Sequence, residues 1–152
     1  MKIPFVDLKI QYNNLKTEID AAIANVIADA AFIGSAENKY VMKFENEFAH
    51  YLGVDHCVSC GNGTDSLEIL LRAFGIGKGD EVLVPALTWI ATSEAVSSVG
   101  AKPIFVDVDP DYYTIDPVQI SEKLTKRTKA IIPVHLYGLP AEMDKIMTIA
   151  KE

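Results

Sequence analysis

Two short segments of this sequence carry residue types and spacings that can bind or react. The first is Cys60-Gly61-Asn62-Gly63-Thr64-Asp65-Ser66-Leu67. Its two glycines let a backbone turn tightly, and a helix opening directly after them aims its first unpaired N–H groups, and the positive end of its dipole, at an anion. Thr64 adds a hydroxyl donor, so the set suits a phosphate. The segment also comes within one position of a G-x-G-x-x-G dinucleotide fingerprint, which would bind NAD. Two details oppose that: Ser66 is larger than the third glycine, and Glu81 falls at the start of the next strand, where it cannot reach a ribose. An ordinary turn with no ligand is the third reading. The second segment is Pro85-Ala86-Leu87-Thr88-Trp89-Ile90-Ala91-Thr92, which holds the only tryptophan. Trp89 either stacks on a planar ring beyond a strand end or packs into the core.

Other candidates carry less. Cys57-Val58-Ser59-Cys60 is formally a C-x-x-C motif, raising redox or metal chemistry, and His50 and His56 could complete a zinc set. If His56 to Cys60 is a short buried strand, however, residues three apart face opposite sides, and the expectation is two buried, reduced thiols. Asp107, Asp109, Asp111 and Asp116 lack the spacing and the glycine of an EF-hand loop; Asp116 is expected to cap a helix and the others to solvate a loop. His135 and Tyr137 follow a strand and can face the same crevice as Trp89, with a structural hydrogen-bonding role for the histidine as the alternative.

The elements that must position these residues follow from periodicity. Leu15, Ile19, Ile23, Val26, Ile27 and Ala30 mark one amphipathic helix; Val41, Phe44, Phe48, Tyr51 and Leu52 mark a second, stopped by Gly53. Short apolar runs then alternate with helical segments, the pattern of β-α-β units in a parallel sheet covered on both faces by right-handed crossovers. Strands are expected at His56–Cys60, Glu81–Val84, Pro103–Val106 and Ala130–Val134, with helices from near Thr64, Thr88 and Pro117. Gly100 ends the helix before the third strand, and Asp116-Pro117 supplies an N-cap followed by proline at the first helical position. A last helix carries Met143, Ile146, Met147 and Ala150. The division expected is residues 1–53, N-terminal helices and an entrance loop, and residues 54–152, an α/β domain, forming one continuous unit.

Composition narrows the function classes. The 152 residues are 49% hydrophobic and 23% charged, within the range of packed globular domains, with a formal net charge of -7 and no Lys/Arg cluster to neutralise phosphates. Nucleic acid and membrane are therefore not expected partners, and with no apolar signal core at the start the protein is expected to be cytoplasmic.

Taken together, Phe32-Ile33-Gly34, Gly63-Thr64-Asp65-Ser66-Leu67, Gly79-Asp80-Glu81-Val82, Thr88-Trp89-Ile90-Ala91-Thr92, Phe105-Val106-Asp107-Val108-Asp109-Pro110 and Thr128-Lys129-Ala130-Ile131-Ile132-Pro133-Val134-His135-Leu136-Tyr137-Gly138 occur in one order. That ordered set resembles the DegT/DnrJ/StrS family of pyridoxal-phosphate-dependent nucleotide-sugar aminotransferases, from Ile3 to Lys151. The resemblance implies a three-layer α/β fold with a mostly parallel sheet, the large domain of a type I aminotransferase, in a homodimer with active sites at the interface.

It also implies roles. Gly63, Thr64 and Asp65 match the turn that holds the phosphate of pyridoxal 5'-phosphate, and Trp89 matches the aromatic that stacks on its ring. Phe32, Ile33, Gly34 and Tyr137 fall on the substrate side, with a nucleotide-sugar and an amino-acid donor such as glutamate as the reactants. Asn62, Ser66 and Ser35 depart from residues frequent in the family without removing a necessary donor. The Schiff-base lysine and the acid that pairs with the pyridinium nitrogen are expected beyond Glu152, so the chain reads as an N-terminal part of the large domain. Lys78, Lys102, Lys126 and Lys129 lie in turns or at strand starts, the wrong edge for that role, and Lys145 and Lys151 lie on a helix.

Overall fold

The computed structural model describes residues 3–33 and 38–151, which form two compact units, Met1–Ser59 and Cys60–Glu152. In the first, α1 spans Leu8–Ala28 and α2 spans Lys39–Leu52. α1 opens where the Asp7 carboxylate accepts the Ile10 N–H at 3.0 Å, satisfying one orphan donor of the first turn. α2 opens on Asn38, whose Oδ1 accepts from Tyr40 N–H at 3.0 Å. It ends at Gly53, left-handed at φ 68°, a conformation that glycine adopts without steric cost. Two ties fix the unit: Lys39 and the Tyr40 hydroxyl both meet the Asp29 carboxylate, and Glu45 Oε1 accepts from both Ser59 N–H and Ser59 Oγ at 2.8 Å. Both carboxyls are held below their usual range: Asp29 chiefly by Lys39 and then Tyr40, and Glu45 by the two Ser59 bonds.

The second unit is a three-layer α/β sandwich, as the sequence pattern predicts. In chain order it holds α3 (Gly63–Ala73), β1 (Glu81–Pro85), α4 (Ala91–Ser98), β2 (Lys102–Val106), α5 (Pro117–Lys123), β3 (Thr128–Ile131) and α6 (Met143–Ile149). The strands are parallel in the order β2-β1-β3, with Glu81 opposite Lys102 and Thr128 and a ladder irregularity between Glu81 and Val82. β1 is central and wholly buried. Its side chains alternate between two cores, as a pleated strand requires. Val82 and Val84 pack with Leu71, Ile76, Ala95 and Val96 under α3 and α4, and Leu83 packs with Val106, Ile115, Ile120, Ala141 and Ile146 under α5 and α6. Burying each of these Val, Leu and Ile side chains contributes roughly 1.5–3 kcal/mol.

At the amino edge of the sheet, Glu81 is buried yet charged. Thr125 Oγ1 donates to its carboxylate at 2.6 Å, and Arg127 donates from Nε and Nη2 at 2.9 and 2.6 Å. These bonds, Thr125 first, hold the Glu81 carboxyl below the usual range.

Several sequence expectations are corrected. His56–Cys60 is not a strand but irregular chain; it is extended enough in composition, yet no described strand offers it a ladder partner. Cys57 is accordingly half-buried and Cys60 exposed, not sealed in a sheet. The helix expected near Thr88 begins at Ala91, so Thr88 and Trp89 lie in the turn that precedes it. The third and last strands also shift, to Lys102–Val106 and Thr128–Ile131. Asp116 caps α5 as expected, accepting Val118 N–H at 2.8 Å ahead of Pro117.

Candidate functional site

The start of α3 is organised by a clasp between two side chains. Asn62 Oδ1 accepts the Asp65 N–H at 3.0 Å, and Asn62 Nδ2 donates back to Asp65 Oδ2 at 3.1 Å. Ser66 N–H is satisfied by Asn62 O at 3.1 Å, and Ser66 Oγ donates to Gly63 O at 2.7 Å. Among the described residues, the N–H groups of Gly63 and Thr64 and the Thr64 hydroxyl find no partner, and they cluster at the positive end of the helix. A Cβ built on Gly63 would meet nothing within 4 Å, whereas one on Gly61 would lie 2.6 Å from Asp65 Oδ2. The close neighbour of Gly61 is the flexible end of the Asp65 side chain, and Gly63 has open space where a Cβ would stand. That donor set suits the dianion of a phosphate monoester. Asp65 differs from its neighbours: its N–H is already used, and its carboxylate serves the clasp.

Trp89 sits in the turn between β1 and α4. Its carbonyl accepts from Thr92 N–H at 3.1 Å, and the Thr88 and Thr92 hydroxyls are 3.1 Å apart. Trp89 is 78% exposed, which removes the core-packing alternative and leaves a ring face free. α3 and α4 pack together, and Arg72 near the end of α3 reaches Ser98 O at the end of α4 at 3.5 Å. Their starts therefore lie at the same end, and the free donors of Gly63 and Thr64 share with Trp89 the carboxyl edge of the sheet.

The strand order adds a switch point. The chain leaving β1 turns to the α3/α4 face, while the chains leaving β2 and β3 turn to the α5/α6 face. In open α/β sheets, ligands bind beyond the strand ends at such a divergence. Trp89 flanks it on one side. His135 and Tyr137 follow β3 on the other; Tyr137 is 98% exposed, and His135 Nδ1 accepts the Ala141 N–H at 3.0 Å. Phe32 and Ile33, 66% and 93% exposed, belong to the first unit, and Gly34 lies outside the described residues.

The DegT/DnrJ/EryC1/StrS aminotransferase family matches residues 13–152. The chain belongs to this family. It is 45% identical over 150 residues to a UDP-2-acetamido-2-deoxy-3-oxo-D-glucuronate aminotransferase of Pseudomonas aeruginosa, covering 99% of this chain and 41% of the relative. Among solved structures it superposes on S. venezuelae DesV in complex with a ketimine intermediate with a TM-score of 0.92 at 45% identity, covering 99% of this chain and 40% of that one. Bacillus subtilis NtdA with bound cofactor PMP gives 0.91 at 36% identity, with 99% and 34% covered. The chain thus spans about two fifths of the length of the curated relatives it matches.

Within this DegT/DnrJ/EryC1/StrS chain, sequence reasoning missed three polar arrangements. The Asn62–Asp65 clasp had a signal, since a capping residue followed three positions later by a side chain that can reach back resembles a capping box. The Glu81–Arg127 pair, 46 residues apart, and the His135–Ala141 bond had none. Glu81 lies at the amino edge, away from the crevice, so it cannot read a ribose there and the dinucleotide reading loses its acid. Among the described residues no helix is long and apolar enough to cross a membrane, and no three His, Cys, Asp or Glu side chains group as metal ligands.

Proposed function

We propose that this chain forms the cofactor-phosphate side of a pyridoxal-phosphate-dependent aminotransferase that moves an amino group from an amino-acid donor, such as glutamate, to a nucleotide-linked keto sugar. The observation that carries the reading is the pair of free amides at Gly63 and Thr64, facing clear space at the same sheet edge as the exposed ring of Trp89. Gly63 and Thr64 hold the cofactor phosphate, Asp65 sets the turn through Asn62, and Trp89 covers one face of the ring. When bound, the cofactor supplies an electron sink for cleavage at the donor's α-carbon. Phe32, Ile33, Gly34 and Tyr137 belong to the sugar side. The relatives support this: one is a UDP-2-acetamido-2-deoxy-3-oxo-D-glucuronate aminotransferase, and another holds PMP.

The proton-shuttling lysine and the acid facing the ring nitrogen are assigned outside residues 1–152. Lys102 and Lys129 lie on strands near the amino edge, and Lys145 pairs with Glu142 at 2.7 Å. A homodimer and a cytoplasmic location belong to the same proposal. A second reading is a non-catalytic cofactor-binding or dimerisation module built on the same cradle.

Titrating pyridoxal 5'-phosphate into the 152-residue chain tests the site. Because Trp89 is the only tryptophan, its fluorescence reports that site alone; quenching together with shifted Gly63 and Thr64 amide signals is expected. Gly63→Val, which fills the clear space, is expected to abolish both changes. Quenching that survives Gly63→Val, or no quenching at all, would sink the assignment, and quenching by NAD in its place would restore the dinucleotide reading.

A further inference from the structure

We propose that His135 is the positioning residue of the crevice loop, its Nδ1 closing the segment that presents Tyr137. The proposal rests on the reading of Tyr137 as a sugar-side residue. β3 ends its pairing where Ile132 N–H donates to Leu83 O at 2.9 Å, and the chain then turns through Leu136–Gly138. Tyr137 and Gly138 are both left-handed, at φ 54° and 88°. For tyrosine that backbone is strained and persists only when its surroundings impose it. Two bonds hold the near side, from Gly138 N–H to His135 O and from Leu139 N–H to Leu136 O, both 3.1 Å.

The far side is anchored by Ala141, 4% exposed and part of the core under α5 and α6. An N–H on so buried a residue needs an acceptor. No backbone carbonyl supplies one; the His135 imidazole does, at 3.0 Å. One side chain therefore bridges positions 135 and 141, six apart in the sequence, and the exposed Tyr137 lies within the loop it closes. Because a neutral imidazole that accepts at Nδ1 carries its proton on Nε2, the clamp also selects one tautomer.

The two ring nitrogens can be separated by substitution, since asparagine places an acceptor near Nδ1 and glutamine places its amide near Nε2. Wild-type, His135→Asn, His135→Gln and His135→Leu chains are compared by NMR. The wild-type ring is expected to show an unprotonated Nδ1 and a protonated Nε2. Exchange of the Ala141 amide is expected to rise about tenfold in the Gln and Leu variants and to stay within about twofold in Asn, the loss of one buried hydrogen bond. A proton on Nδ1, glutamine rescuing as well as asparagine, or unchanged exchange in the Leu variant overturns the proposal. The pyridoxal phosphate titration at Gly63 and Thr64 reads separate atoms, so failure of the cofactor reading is told apart from failure of the clamp.

Discussion

In the first unit Ala49 is the one buried residue among those described, whereas the second unit closes two cores around β1. Yet the helix periodicity of α2 in the first unit is as clear as that of α3 in the second. α1 carries Leu15, Ile23 and Ile27 at helical spacing and buries none of its residues. The contrast teaches that apolar spacing states which face of an element is sticky, and says nothing of what covers it. A central strand is different: β1 brings neighbours on both edges and helices on both faces within one stretch of chain, so its pattern and its burial agree.

Four substitutions can break or sharpen that contrast. Leu83→Ala empties the core under α5 and α6 and is expected to cost about 2–5 kcal/mol in urea unfolding. Glu81→Gln comes next, because it leaves Arg127 without its carboxylate partner. The folded Glu81 carboxyl titrates below its unfolded value, so its contribution is fully present above about pH 4.3 and is lost as pH falls through the lower folded value. Thermal midpoints of wild type and Glu81→Gln should therefore differ most near neutrality and converge in acid; a gap that widens on acidification would contradict the sign.

Asn62→Ala removes the α3 cap and is expected to cost about 1 kcal/mol, together with weaker pyridoxal phosphate quenching of Trp89. Ile23→Ala, on the uncovered face of α1, is expected to stay within about 0.5 kcal/mol. A loss there as large as that of Leu83→Ala would erase the distinction between the units.

What was legible in the sequence was what is local. Gly53 and Gly100 mark helix ends because the backbone there is left-handed, at φ 68° and 82°; Asp116-Pro117 marks a start because cap and ring restriction act within a turn. β1 was placed from Glu81 because its run of branched residues has no helical period. The turn that opens α3 was equally readable, as glycine spacing and helix polarity are local too. His56–Cys60 failed because a strand requires a partner, and nothing in those residues reveals whether one exists. The arrangement around Glu81 was invisible for the same reason, since Thr125 and Arg127 reach it across the sheet from a later turn.

The strand order carries a consequence for synthesis. The central strand is made first, and the buried members of the core under α3 and α4 run from Leu71 to Ala101, with Ala130 and Ile132 packing against them later, so a growing chain holds that buried set soon after β1 appears. The opposite face of β1 must wait for Ile120, Ala141 and Ile146. Until they emerge, Leu83 stands bare on a half-covered sheet, and it is this interval, rather than the finished fold, in which a nascent chain is most open to mispairing.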